Sequence, residues 1–157
     1  MTEGEAAPAA ATEQGSRNLV MRVVAALVLA PLAIAIAYAG GVLWTALVTA
    51  AVIGLYVEWL MVVGVVRDSR VVVSGSVALA VAGLCLMAGR IDASLAVLAI
   101  GLVASMLISP ERRNWVAAGF LYAASAEVAS VMIRLDAAQG FAALMLVLLI
   151  VWVTKVV

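Results

Sequence analysis

The stretch Arg17–Trp59, RNLVMRVVAALVLAPLAIAIAYAGGVLWTALVTAAVIGLYVEW, decides the class of this protein. Two long apolar runs meet at Gly40-Gly41. Arginines stand at the open end of the first run, and Glu58-Trp59 lies near the open end of the second. At 1.5 Å per helical residue each run is long enough to cross a bilayer core of about 30 Å. The later chain repeats the plan: an apolar run, a short charged or glycine-bearing turn, another apolar run.

Composition explains why lipid must be the solvent. Of 157 residues, 68% are hydrophobic and 11% charged, with a mean hydropathy of +1.25. A water-soluble domain clothes its surface with about 25% charged residues; this chain has less than half of that. The net charge is +0, so no bulk field points to nucleic acid as a partner. Histidine is absent, which removes the commonest acid–base group near neutral pH and the commonest zinc ligand. Cys85 is the single cysteine. It lies inside an apolar run and reads as a packing residue.

Residues 1–16, MTEGEAAPAAATEQGS, hold no large apolar side chain beyond Met1 and are expected to form a disordered cytosolic tail. The charges precede the apolar run in the wrong sense for a secretory signal. Residues 17–157 then form the membrane domain. The expected architecture is an all-α polytopic transmembrane helix bundle of about six spans. The first covers about residues 19–39, with Pro31 expected to kink it. The others run from about Val42 to Val63, Val71 to Ala88, Ala93 to Ile108, Trp115 to Ile133 and Gly140 to Val157. Arg67-Asp68-Ser69-Arg70 reads as a loop and Ser109-Pro110-Glu111-Arg112-Arg113 as a breaker. The third and fourth spans are short enough to admit a tilted or re-entrant course.

Charge placement orients the spans. With a cytosolic N-terminus, Arg17, Arg22, Arg67, Arg70, Arg112, Arg113 and Lys155 fall on the cytosolic side, against Arg90 and Arg134 opposite. That bias follows the positive-inside rule and places both termini in the cytosol.

Two acids fall within spans, Glu58 and Glu127. Even gentle insertion scales charge about 2.5 kcal/mol or more for a carboxylate at mid-bilayer. Glu58, close to the cytosolic end of its helix, reads equally as an interfacial anchor beside Trp59 or as a functional group. Glu127, near or past the middle of the fifth span, should face the bundle interior. Ala123, Ala124 and Ser130 put small residues on its face, so a neighbouring helix can approach. A functional polar site and a buried packing hydrogen bond both stay open. Small-xxx-small spacings recur (Ala26 to Ala30, Ala33 to Ala37, Gly101 to Ser105, Gly119 to Ala123), a weak signal in so alanine-rich a chain. Trp44, Trp59, Trp115 and Trp152 sit near span ends and are expected to anchor in an aromatic belt. No phosphate-binding glycine loop, metal-ligand cluster or nucleophile–histidine pairing is present.

One resemblance emerges from the hairpin. Arg22, Ala25-Ala26-Leu27-Val28-Leu29-Ala30-Pro31-Leu32, Gly40-Gly41 and Glu58-Trp59 together resemble the start of the bacterial phosphatidate cytidylyltransferases, or CDP-diglyceride synthases. Gly119-Phe120-Leu121-Tyr122, Arg134, Gly140 and Val151-Trp152-Val153-Thr154 are similar to that family's middle region in order and spacing. The resemblance implies a bacterial inner-membrane protein of phospholipid biosynthesis. The family joins CTP to phosphatidate, giving CDP-diacylglycerol and diphosphate, with magnesium expected to offset phosphate charge. The family's acidic and basic ligands come chiefly from its second half. Lys155 stands where the family carries an aspartate, Ala126 where it often has proline, and without histidine its His-Gly-Gly element has no counterpart. No catalytic residue, substrate-binding residue or metal ligand therefore carries over. The chain is expected to be a truncated counterpart, inactive alone and without a cofactor of its own. The alternatives are a non-catalytic scaffold or partner subunit, or a small transporter subunit using Glu127. Expected partners are membrane lipid and either a second copy or a polypeptide carrying the family's C-terminal half.

Overall fold

The computed structural model describes residue 21, residues 28–136 and residues 138–156. The 1–16 tail, Arg17, Arg22, Ala26 and Val157 lie outside the described residues, as do the side chains of Trp152, Thr154 and Lys155. The chain divides into two compact units, Met1–Ile36 and Ala37–Val157. Six α-helices and a short 3₁₀ turn are described, with no strand among the described residues: α1 (Val28–Ala39), α2 (Gly41–Val63), α3 (Ser69–Met87), α4 (Ile91–Ile108), the 3₁₀ turn Pro110–Arg112, α5 (Arg113–Leu135) and α6 (Gly140–Val156). The fold is all-α. Four helices, α2 to α5 (α5 counted with its leading 3₁₀ turn), are long and apolar enough to cross a membrane; a helix satisfies its own backbone groups where no water can.

Within the first unit the described residues are Met21 and the part of α1 up to Ile36, and α1 runs unbroken through Pro31 from Val28. The upstream part of the expected first span, and with it any kink there, lies outside the described residues.

Three turns of the second unit contain glycines with positive φ. Gly40 (φ 66°) and Gly41 (φ 56°) separate α1 from α2. Gly64 (φ 76°) ends α2 in a left-handed cap. There the Gly64 N–H donates to Met61 O and the Val65 N–H to Leu60 O, the paired bonds of a Schellman motif. Gly89 (φ 72°) repeats the device after α3, with Gly89 N–H to Leu86 O and Arg90 N–H to Cys85 O. A side chain with a Cβ is strained at these positions, which is why glycine marks them.

Several boundaries move from those expected. Ser69 and Arg70 belong to α3, because the Asp68 side chain accepts the Arg70 N–H and caps the helix start. Asp92 falls in the first turn of α4, where a negative charge complements the helix dipole. The Ser109–Arg113 breaker is only a brief interruption, since the 3₁₀ turn runs directly into α5 at Arg113. At 19 and 18 residues, α3 and α4 are continuous helices that approach the length of a bilayer core of about 30 Å. No break falls within either helix.

Packing orders the second unit as a bundle. The largest contact is between sequence neighbours α3 and α4, followed by α2 with α5 and α2 with α3. Tyr56, Leu60, Val71, Leu79, Ala82, Val116, Phe120 and Ala123 form its centre, each with no exposed surface. The Tyr56 and Phe120 rings meet edge to face at 5.7 Å. Large apolar side chains such as Val62, Leu84, Ile100 and Leu107 point outward, as a lipid-facing surface requires.

Candidate functional site

The polar centre of the bundle is built by three helices. Glu127 on α5 has no exposed surface. Its Oε1 accepts a hydrogen bond from Thr49 Oγ1 of α2 at 2.8 Å. Gly83 of α3 forms the third wall: a Cβ there would overlap Thr49 Oγ1 and lie 3.0 Å from Glu127 Oε1. Ala123 and Ala124, one turn away on α5, are buried and let α5 approach its neighbours closely. Thr49 thus fixes one oxygen of the carboxyl group. The other, Oε2, is buried and has no hydrogen-bond partner among the described residues.

One turn along the same seam lies a small recess of about 180 Å³. Its walls include Gly41, Thr45, Leu86, Gly89, Val131 and Arg134. Small-molecule sites run to roughly 300–1,000 Å³, so the recess suits a few waters, at about 30 Å³ each, better than a nucleotide. Arg134 is its charged element. The guanidinium donates from Nε to Ala37 O at 2.6 Å and from Nη2 to Tyr38 O at 2.9 Å, and it covers Gly40 closely enough that a Cβ there would collide with it. Tyr38 also meets Phe141 edge to face at 5.6 Å. The end of α1, the glycine turn, the end of α5 and the start of α6 are therefore fastened together.

The opposite end of the bundle has its own fasteners. Arg112 Nη1 donates to Val63 O, one of the last carbonyls of α2. Trp59 Nε1 donates to Trp115 O at 2.9 Å, and its ring lies on Gly119, where a Cβ would overlap it. Back at the recess end, Trp44 is only 8% exposed, lines the recess and donates from Nε1 to Ser130 O at 3.1 Å. Beyond their place near the ends of α2, Trp44 and Trp59 each use the indole N–H to tie α2 to α5. Trp115 is 60% exposed.

Glu58 is exposed at the Trp59 end of α2 and stands apart from Glu127, which is buried. The structure does not bring the two acids together. Among the described residues no group of three or more His, Cys, Asp or Glu side chains comes together. The sequence singled out Glu127 but missed its partners. A signal existed in Thr45 and Thr49, four apart on α2 and so on one face, yet nothing local could say that this face meets Glu127 across a separation of 78 residues. Gly83 and the second role of Arg134 carry no sequence signal of their own.

Comparison with protein-family models, curated proteins and solved structures found no match to this chain.

Proposed function

We propose that this chain is a membrane scaffold module equivalent to the N-terminal membrane half of a phosphatidate cytidylyltransferase, and that a polypeptide of this sequence does not itself form CDP-diacylglycerol. The observation that supports this reading is the use to which the resembling residues are put. Gly40 and Gly41 form the first turn, Arg134 clamps it, and Trp59 seats on Gly119. Each serves helix packing. Residues that hold a bundle together are those a scaffold retains when its chemistry is supplied by other segments.

The membrane setting has broader support in the four long apolar helices. The orientation belongs to the same proposal. Arg67, Arg70, Arg112 and Arg113 gather at the bundle end that joins α2 to α3 and α4 to α5, while Arg90 and Arg134 mark the other. The arginine-rich end would face the cytosol of a bacterial inner membrane. For the full-length family, acidic residues at that face would hold magnesium and substrate phosphates; this chain offers Glu58, Asp68 and Glu111 there, all exposed, and no histidine.

Two measurements test the reading. Membranes containing the chain, given phosphatidate, CTP and magnesium, are expected to make no more CDP-diacylglycerol than empty-vector membranes; formation above that background would overturn inactivity. Co-expression with a polypeptide carrying the family's C-terminal half should yield a co-purifying complex with cytidylyltransferase activity. If neither co-purification nor activity is found, the scaffold reading fails.

A further inference from the structure

We infer that Glu127 is a proton-exchange site, and that the recess between α2, α3 and α5 is its route to water. This inference does not rest on the family reading. It starts from an asymmetry in the carboxyl group. Oε1 is held by Thr49, whereas Oε2 is fully enclosed without a partner among the described residues. A bare carboxylate oxygen at membrane depth is strongly disfavoured, because neither water nor a donor offsets its charge. A proton on Oε2 removes that charge, and only a proton is small enough to arrive without opening the helices.

The recess gives that proton a path. Thr45 precedes Thr49 by four residues, Val131 follows Glu127 by four, and Leu86 follows Gly83 by three. On all three helices the floor of the recess therefore lies one turn from the Glu127–Thr49 pair, on the same faces. Its mouth opens beside Gly41, Gly89 and Arg134, at the end of the bundle where α3 turns into α4. Metal cations suit this seam poorly. Hard cations such as calcium or magnesium take about six oxygen ligands, while the pair offers two carboxyl oxygens and a hydroxyl whose proton already points to Oε1.

The charged and titratable surroundings are few. From α2 the acid is faced by Thr49. Tyr56, two turns on towards the other end, donates to Val71 O at 3.4 Å. From α3 it is faced by Gly83, and Cys85, two positions along, points to another side of that helix. On α5 the next charged group is Arg134. On α4 the charged residue among those described is Asp92, exposed and 3.8 Å from Arg90. Among the described residues no second acid lies beside Glu127 to share the proton.

Infrared spectroscopy of the protein in lipid vesicles tests this directly. The protonated-carboxyl stretch of Glu127, assigned by its loss in Glu127→Gln, should shift when the buffer is changed to deuterium oxide, well before the backbone amides of the bundle exchange. Val131→Phe and Thr45→Leu each place bulk in the floor of the recess. In whichever variant keeps the wild-type amide spectrum and elution volume, the shift should slow by about tenfold, equivalent to about 1.4 kcal/mol on the barrier. Absence of the band in the wild type overturns the inference. So does a band that shifts no sooner than the amides, as a purely structural acid would. A band that shifts equally fast in the plugged variants overturns the route.

Discussion

The α2–α5 interface and the α3–α4 hairpin solve the same problem by different means. α3 and α4 are neighbours in sequence, joined through the Gly89 turn, and make the most extensive contact in the bundle. They pack by shape: Gly101 sits so close to Ala78 that a Cβ would overlap it. No side-chain hydrogen bond joins them among the described residues, and Ser94 is buried on α4 with a hydroxyl that has no partner among those residues. α2 and α5 are far apart in sequence and are tied at three levels by Trp44 to Ser130 O, Thr49 to Glu127 and Trp59 to Trp115 O. In lipid the hydrophobic effect does not choose between helix partners. A short turn makes that choice for α3 and α4. For α2 and α5 directional bonds must make it.

Breaking the directional interface at its centre should cost most. Gly83→Leu pushes a side chain into Thr49 and Glu127, and is expected to lower stability by about 3 kcal/mol, the upper range for overpacking a core, measured by steric trapping in bicelles. Arg134→Ala removes both bonds to Ala37 O and Tyr38 O; a loss of about 2 kcal/mol is expected for charged donors. The glycine turn at Gly40 should then also become the first site of proteolysis. Thr49→Val keeps the shape of the interface and deletes one bond. Its cost should be about 1 kcal/mol, within the range found for interhelical hydrogen bonds in membranes. Ser94→Ala on the shape-packed hairpin removes a hydroxyl that bonds nothing among the described residues, and should change stability by less than about 0.5 kcal/mol. If Ser94→Ala costs as much as Thr49→Val, the contrast between the two interfaces collapses.

How much of this was legible in the chain depends on the range of the interaction. Gly40-Gly41 could be read as a turn because backbone conformation is set within a few residues. Glu127 could be read as buried because a lone acid among apolar residues has nowhere else to go in a helix bundle. The tryptophans could not be read. Position near a span end is equally compatible with an indole turned to lipid and one turned to a neighbouring helix, and only the packing of α5 beside α2 decided for Trp44 and Trp59. The capped start of α3 at Ser69 was within reach of sequence, since Asp68 is a strong N-cap residue, but the charged run Arg67–Arg70 disguised it as loop.

The sequence by itself determined an all-helical chain with runs long and apolar enough to cross a membrane, the Gly40-Gly41 turn and the burial of Glu127. Those follow from composition, hydrophobic run length and local backbone sterics, which need no knowledge of partners. The tertiary structure decided that Thr49 and Gly83 surround Glu127, that a recess stops one turn short of it, and that Arg134 serves as a clamp. These are contacts between helices of almost uniform apolar surface, and in such helices sequence pattern carries little information about which face meets which.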